Sequence, residues 1–170
     1  MSKFLPSQIV NDLNYVPGTR EVNTVTLPTT AGAAQADYVV LYNAAGTSYA
    51  MWLDIDADGT APTGALYVAS DNQIEVDIVG GGTAAQNGTL AYTALNGNVT
   101  DMTFTDNLDG TITCAISDTG NATDFVPKDE DDSGAGSIGV SAVDGSSKSF
   151  PYESPGDSPT ARKINPDTVS

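Results

Sequence analysis

Residues Asp37–Val79, DYVVLYNAAGTSYAMWLDIDADGTAPTGALYVASDNQIEVDIV, decide how this 170-residue chain folds. They hold its only Trp, four of its seven Tyr and three runs with strand character. Asp37 to Asn43 is apolar on both sides, with Tyr38, Val40 and Tyr42 on one and Val39 and Leu41 on the other. That is the pattern of a central strand covered on both faces. Ala44-Ala45-Gly46 leaves room only for a tight return, so Thr47 to Asp56 should pair back as an antiparallel hairpin. Its alternation turns Tyr49, Met51, Leu53 and Ile55 toward a core and Ala50, Trp52, Asp54 and Asp56 away from it. Asp58-Gly59 and Pro62-Thr63-Gly64 read as turns. Gln73 to Val79 is a third strand, with Ile74, Val76 and Ile78 inward and Glu75 and Asp77 outward.

Upstream, Glu21 to Leu27 alternates as a half-buried or edge strand that stops at Pro28. Downstream, Gly80-Gly81-Gly82 breaks the third strand and Thr83 can cap a helix through AAQNGTLAYTALNG, closed by Gly97. Leu90, Ala91, Ala94 and Leu95 form its expected apolar stripe, and Gly88 within it costs about 1 kcal/mol relative to Ala. Val99 to Thr105 and Thr111 to Ser117 flank Asn107-Leu108-Asp109-Gly110, a hairpin signal. Ser137 to Val143 reads as a last strand. The expected fold is α+β and mainly β: an antiparallel sheet or sandwich of about five to seven strands with one packed helix near 83–96. Residues 21–150 form this domain, between an N-terminal arm (1–20) and an extended C-terminal tail (151–170) containing Pro151, Pro155, Pro159 and Pro166.

Val, Ile, Leu and Phe make up only 35 of 170 residues, close to the level at which highly charged chains fail to bury enough surface. Such a domain is expected to gain stability from neighbours. The formal charge is −16, from 22 acidic and 6 basic residues, which repels a phosphate backbone and argues against nucleic acid as a partner. Both ends are neutral: Lys3 and Arg20 balance Asp12 and Glu21, and Arg162 and Lys163 balance Asp157 and Asp167. The charge therefore belongs to the body. The start lacks the apolar run of a signal peptide and no stretch approaches the roughly 18 apolar residues of a membrane helix, so synthesis in the cytosol and no membrane partner are expected. Asn87, Asn98 and Asn121 each open a glycosylation sequon, which without secretion reflects composition.

Few residues suggest chemistry. Asp54, Asp56 and Asp58, before Gly59, match the start of a D-x-D-x-D-G calcium loop. Its twelfth position is Ala65 and its flanks read as strands, which excludes an EF-hand and leaves either a looser calcium site or strand-end carboxylates entering a turn. Asp129 to Asp132 is a solvated acidic loop, a weak cation site or a dock for a basic partner. Cys114 shares a face with Ile112 and Ile116 and, with no histidine in the chain to activate it, is a buried apolar residue. The glycine triplet lacks the Lys of a phosphate-binding loop and reads as a strand-to-helix turn. Trp52 beside carboxylates could serve as a sugar platform, but no carboxylate pair stands out, so no catalytic residue and no cofactor is expected. Trp52 is either a second-layer core residue or an interface anchor. The N-terminal arm either covers the open side of its own sheet or docks on a neighbouring subunit; its Phe4, Leu5 and Ile9, with Arg162, Lys163 and Ile164 in the tail, are the other interface candidates.

The succession Tyr49-Ala50-Met51-Trp52-Leu53-Asp54-Ile55-Asp56, then Gly59-Thr60-Ala61-Pro62, Ile74-Glu75-Val76-Asp77-Ile78, a small-residue helix and a Thr-rich hairpin with Asp-Gly resembles tailed-bacteriophage virion proteins. The resemblance covers roughly Asp37 to Ser117. It implies a structural module without enzymatic activity, found in head-decoration, tail and fibre-associated proteins. Its expected place is the virion, and its expected partners are the major capsid protein or other virion proteins and copies of itself, in an oligomer or lattice. A capsid decoration or cement subunit is the first expectation and a tail, neck or fibre-attachment component the second. A carbohydrate- or calcium-binding β module is the alternative of another class.

Overall fold

The computed structural model describes residues 17–147 apart from 56, 79 and 81. Eight strands form two four-stranded sheets. They are β1 (Arg20–Thr26), β2 (Tyr38–Tyr42), β3 (Ser48–Asp54), β4 (Asn72–Asp77), β5 (Met102–Asp106), β6 (Thr111–Thr119), β7 (Val126–Lys128) and β8 (Gly139–Val143). The first sheet has the order β5-β6-β1-β8 and the second β4-β3-β2-β7. A short helix, Ala65–Val68, lies between β3 and β4, and a long one, Ala84–Asn98, between β4 and β5. The chain is thus mainly β with one principal helix, as its patterning implies.

The β2–β3 hairpin forms as expected, with Val40 opposite Ala50 and Gly46 in the left-handed region at φ +81°. Residues Tyr38–Leu41 are all buried because the second sheet is covered on both sides. On one side Val39, Leu41, Met51 and Leu53 meet Val25, Ile112 and Ile116 of the first sheet in the main core. On the other, Tyr38, Val40, Ala50, Trp52 and Tyr67 make a second cluster beneath the segment linking β3 to β4.

Three expectations are corrected. The second sheet is not wholly antiparallel: β3 and β4 run parallel, Met51 opposite Ile74. A parallel pair needs a crossover of a dozen or more residues, and residues 55–71 supply it, so the two turn signals there belong to one long connection. Of the two readings of β1, the half-buried one holds and the edge one does not, since its burial alternates and β6 and β8 flank it on either side. The strand total exceeds five to seven because β7, three residues containing Pro127, pairs with β2 without any alternation to announce it. Proline there suits the sheet edge that β7 forms.

The long helix opens with a capping box: Thr83 Oγ1 accepts from Gln86 N at 3.3 Å and Gln86 Oε1 accepts from Thr83 N at 2.9 Å. It packs on β4, β5 and β6, across the neighbouring edges of both sheets. Its buried face is Asn87, Gly88, Ala91 and Leu95, and Leu90 is 46% exposed, so the stripe lies off the expected one. The cause is a close approach: a Cβ on Gly88 would sit 3.1 Å from Gly110 Cα in the β5–β6 turn. Asn87 is buried beside it and donates to Pro28 O at 2.8 Å, so this sequon asparagine is a structural residue. The helix runs one residue past Gly97.

Candidate interaction surface

Among the described residues, the first sheet is covered on one face only. Along β6, Ile112, Cys114 and Ile116 point into the core, so Thr111, Thr113 and Ala115 point away from it. Register carries the outward row across neighbouring strands: Val143, Val22, Ala115 and Thr103 stand opposite one another in turn. The next row is Ser141, Thr24, Thr113 and Thr105, and the third brings Gly139, Thr26 and Thr111 together. Asn107 leans over this end, its Nδ2 donating to Thr111 Oγ1 at 2.9 Å and Thr113 Oγ1 at 3.1 Å.

No side chain in these rows is charged, although the described body carries 17 acidic residues against Arg20 and Lys128. Thr26, Thr103, Thr105 and Ser141 are exposed, and Val143 is 69% exposed. The face is a small uncharged platform of hydroxyls and methyls on an acidic body. Away from its Thr111 end, where Thr111 Oγ1 donates to Asp109 Oδ1 at 2.7 Å, such a surface can meet another protein without desolvating an ionised group.

The carboxylates marked by the calcium-loop pattern do not gather into a site. Asp54 is fully buried; it accepts from Gly59 N at 2.9 Å and from Gln35 Nε2 at 3.1 Å, which ties the strand end to the following turn. Asp58 is exposed and accepts from Thr60 N at 2.8 Å. Asp56 lies outside the described residues, as do Phe4, Leu5, Ile9, Arg162, Lys163 and Ile164. Among the described residues no three Asp, Glu, His or Cys side chains are grouped to hold a metal ion. Trp52 is 4% exposed in the second cluster, which makes it a core residue of this chain. Glu75 lies beside Asp54 and Asp77; loss of hydration and then these two charges raise its carboxyl above the ordinary range.

The acidic run is partly structural. Asp132 accepts from the Tyr38 hydroxyl at 2.5 Å and from Leu66 N at 3.1 Å, with Lys128 Nζ at 4.0 Å. Dehydration pushes its carboxyl up, but these donors outweigh it and hold the group below the ordinary range. The latch fastens the loop after β7 to the buried Tyr38 and to the start of the short helix, and nothing in the local pattern of Asp129–Asp132 reveals it. Cys114 is fully buried, and burial raises its thiol to about 12. Among the described residues no helix is long and apolar enough to cross a membrane.

No family model, no curated protein and no solved structure matches this chain.

Proposed function

We propose that this chain is a non-enzymatic structural subunit of a bacteriophage virion, a decoration or cement protein that seats the outer face of its first sheet on the capsid shell. The observation that carries this reading is the charge-free Thr, Ser, Val and Ala face on a body that is otherwise strongly acidic. Acidic surface elsewhere keeps free subunits apart and soluble, and the neutral face is where approach meets no like-charge repulsion. The major capsid protein is the proposed partner. A location in the tail, neck or fibre uses the same face and is the second reading.

The face is small. Four strands about 4.8 Å apart and five residues of about 3.3 Å give roughly 300 Å², well short of the roughly 800 Å² per partner of a stable interface. The neutral arms at residues 1–16 and 148–170 are proposed to supply the remainder. Thr103→Glu with Thr105→Glu, on an exposed edge strand, places two charges in the outward rows. The double variant should keep its circular dichroism spectrum and lose co-sedimentation with purified shells. Deleting residues 1–18 and 155–170 should likewise leave the fold and abolish incorporation. Wild-type binding by the double variant would remove the face from the interface. Failure of the unaltered chain to bind heads or tails would remove the virion reading itself.

A further inference from the structure

Each sheet ends in two edge strands, and three of the four edges are guarded. β4 turns the exposed carboxylates of Glu75 and Asp77 outward and carries the long helix, which also packs on β5. β7 is three residues long and contains Pro127 and Lys128. Charge, proline, brevity and a covering element are the ordinary means of keeping an edge from pairing with another chain. β8, Gly139-Val140-Ser141-Ala142-Val143, has no charge, no proline and no break in its register along β1, and all of it but Val140 is exposed. Among the described residues it pairs with β1 alone. The ladder fixes which of its backbone groups are left over. Leu27 N donates to Gly110 O at 2.8 Å on the β6 side, so by alternation Asn23 and Val25 serve β6, and Val22, Thr24 and Thr26 turn to β8. Their partners Val143, Ser141 and Gly139 are thereby bonded to β1, and the N–H and C=O groups of Val140 and Ala142 face the open edge.

We infer that β8 is a self-association strand, which pairs antiparallel with β8 of a second copy of this chain about a two-fold axis at Ser141. That register overlaps the whole strand and sets Val140 opposite the partner subunit's Ala142 and Ala142 opposite the partner subunit's Val140. These are the residues whose backbone groups face the edge, so both pairs exchange their two hydrogen bonds. A second copy suits the edge because the strand is self-complementary: small uncharged residues meet small uncharged residues and no ionised group loses its water. The body's acidity does not oppose the contact. Asp144, the first carboxylate after the strand, falls opposite the partner subunit's Ile138, about 20 Å along the pair from its own counterpart at about 3.4 Å per residue, beyond the screening length of about 8 Å in physiological salt. The axis also keeps the outward rows of both copies on one side. Two four-stranded sheets join into one of order β5-β6-β1-β8-β8-β1-β6-β5, and the uncharged face doubles from roughly 300 to roughly 600 Å². This use of the pairing rests on the function proposed above: the dimer brings the face closer to the roughly 800 Å² per partner of a stable interface.

The test is sedimentation velocity of the full chain over a concentration series, with no shell present. We expect a reversible equilibrium between the 17.4 kDa chain and a species of twice that mass. Its dissociation constant should lie between roughly 10⁻⁶ and 10⁻⁴ M, the weak end that suits so small a contact. Ser141 is exposed on the outward side and faces its own counterpart across the axis, where side chains of a non-hydrogen-bonded pair stand closest. Ser141→Glu and Ser141→Lys should each keep the circular dichroism spectrum and weaken dimerisation at least tenfold, because like charges then stand directly opposite. Mixing the two variants should restore the dimer, because opposite charges then meet. A chain that stays monomeric to the top of that range overturns the proposal, as does a Ser141→Glu protein that dimerises like the unaltered chain, or a mixture that associates no better than either variant alone. Shell binding is a separate readout: a dimer that binds neither heads nor tails removes the function proposed above and leaves this pairing, and a monomer that binds shells does the reverse.

Discussion

Gly88 and Gly97 occupy the same helix in opposite surroundings, and replacing each with Ala separates propensity from packing. In a helix interior the change stabilises by about 1 kcal/mol, because Gly loses more backbone freedom on folding. At Gly97 a Cβ meets nothing within 4 Å, so most of that gain should appear, about 0.5–1 kcal/mol. At Gly88 it would lie 3.1 Å from Gly110 Cα and 3.3 Å from Gly110 C. Gly110 cannot easily yield. Its carbonyl accepts from Leu27 N at 2.8 Å, its φ is +97°, and it also abuts Ala84, one turn before Gly88 in the helix. Overpacking of this kind costs about 1–3 kcal/mol. Gly88→Ala should therefore be destabilised by about 1 kcal/mol, and the two variants should differ by about 1.5–2 kcal/mol. Urea unfolding followed by fluorescence of the buried Trp52 measures both. A Gly88→Ala protein as stable as the unaltered chain, beside a stabilised Gly97→Ala, would show that helix and turn do not touch as described.

Cys114 should resist iodoacetamide at pH 8 in the native protein and react once urea unfolds it, since burial holds the thiol protonated; rapid native labelling would place it at the surface. Tyr38→Phe deletes the hydroxyl that Asp132 accepts and should lower stability by about 1–2 kcal/mol in the same urea assay. An unchanged midpoint would mean the latch contributes nothing. Because Glu75 has a raised carboxyl pKa, the folded state holds that proton more tightly than the unfolded one. Its ionisation therefore opposes folding: the favourable contribution is complete below its ordinary value of 4.5 and is lost as pH rises through the folded value. Glu75→Gln should raise the urea midpoint at pH 7 and give less advantage as pH approaches 4.5. An advantage independent of pH would assign the effect to something other than the carboxylate.

What was legible in the sequence was local. The β2–β3 hairpin, the Asp-Gly hairpin and the capped helix each rest on contiguous residues, and their alternation assigns faces without reference to the rest of the chain. Long-range choices left no such trace. Nothing in Gln73–Val79 says that it will pair parallel with β3, and Val126-Pro127-Lys128 has too few residues to show a period. Gly88 looked like a weakness because propensity is counted along the helix, while its use lies in a turn 22 positions away in sequence. The uncharged face was present as outward threonines in three strands, but recognising it required the order β5-β6-β1-β8, which places them side by side. Trp52 stayed ambiguous for the same reason: its face could be assigned, but the crossover that covers that face could not.

The two sheets divide the work of the domain. The second, covered on both sides, holds most of the large side chains and accounts for a stable body in a chain poor in aliphatic residues. Among the described residues the first leaves one face uncovered while its inner face completes the same core. Under that division the inward side of β1 should be apolar throughout, yet it reads Glu21, Asn23, Val25 and then Leu27 beyond the strand, polar at the end nearest both arms and apolar at the other. Two apolar side chains of similar size there would favour burial by about 1.5–3 kcal/mol each and remove the orphaned Asn23 oxygen, but they would leave Ala122 N without its acceptor. The pair has a structural use instead: Glu21 accepts from Ala122 N and from Asn23 Nδ2, which ties the segment after β6 to the start of β1.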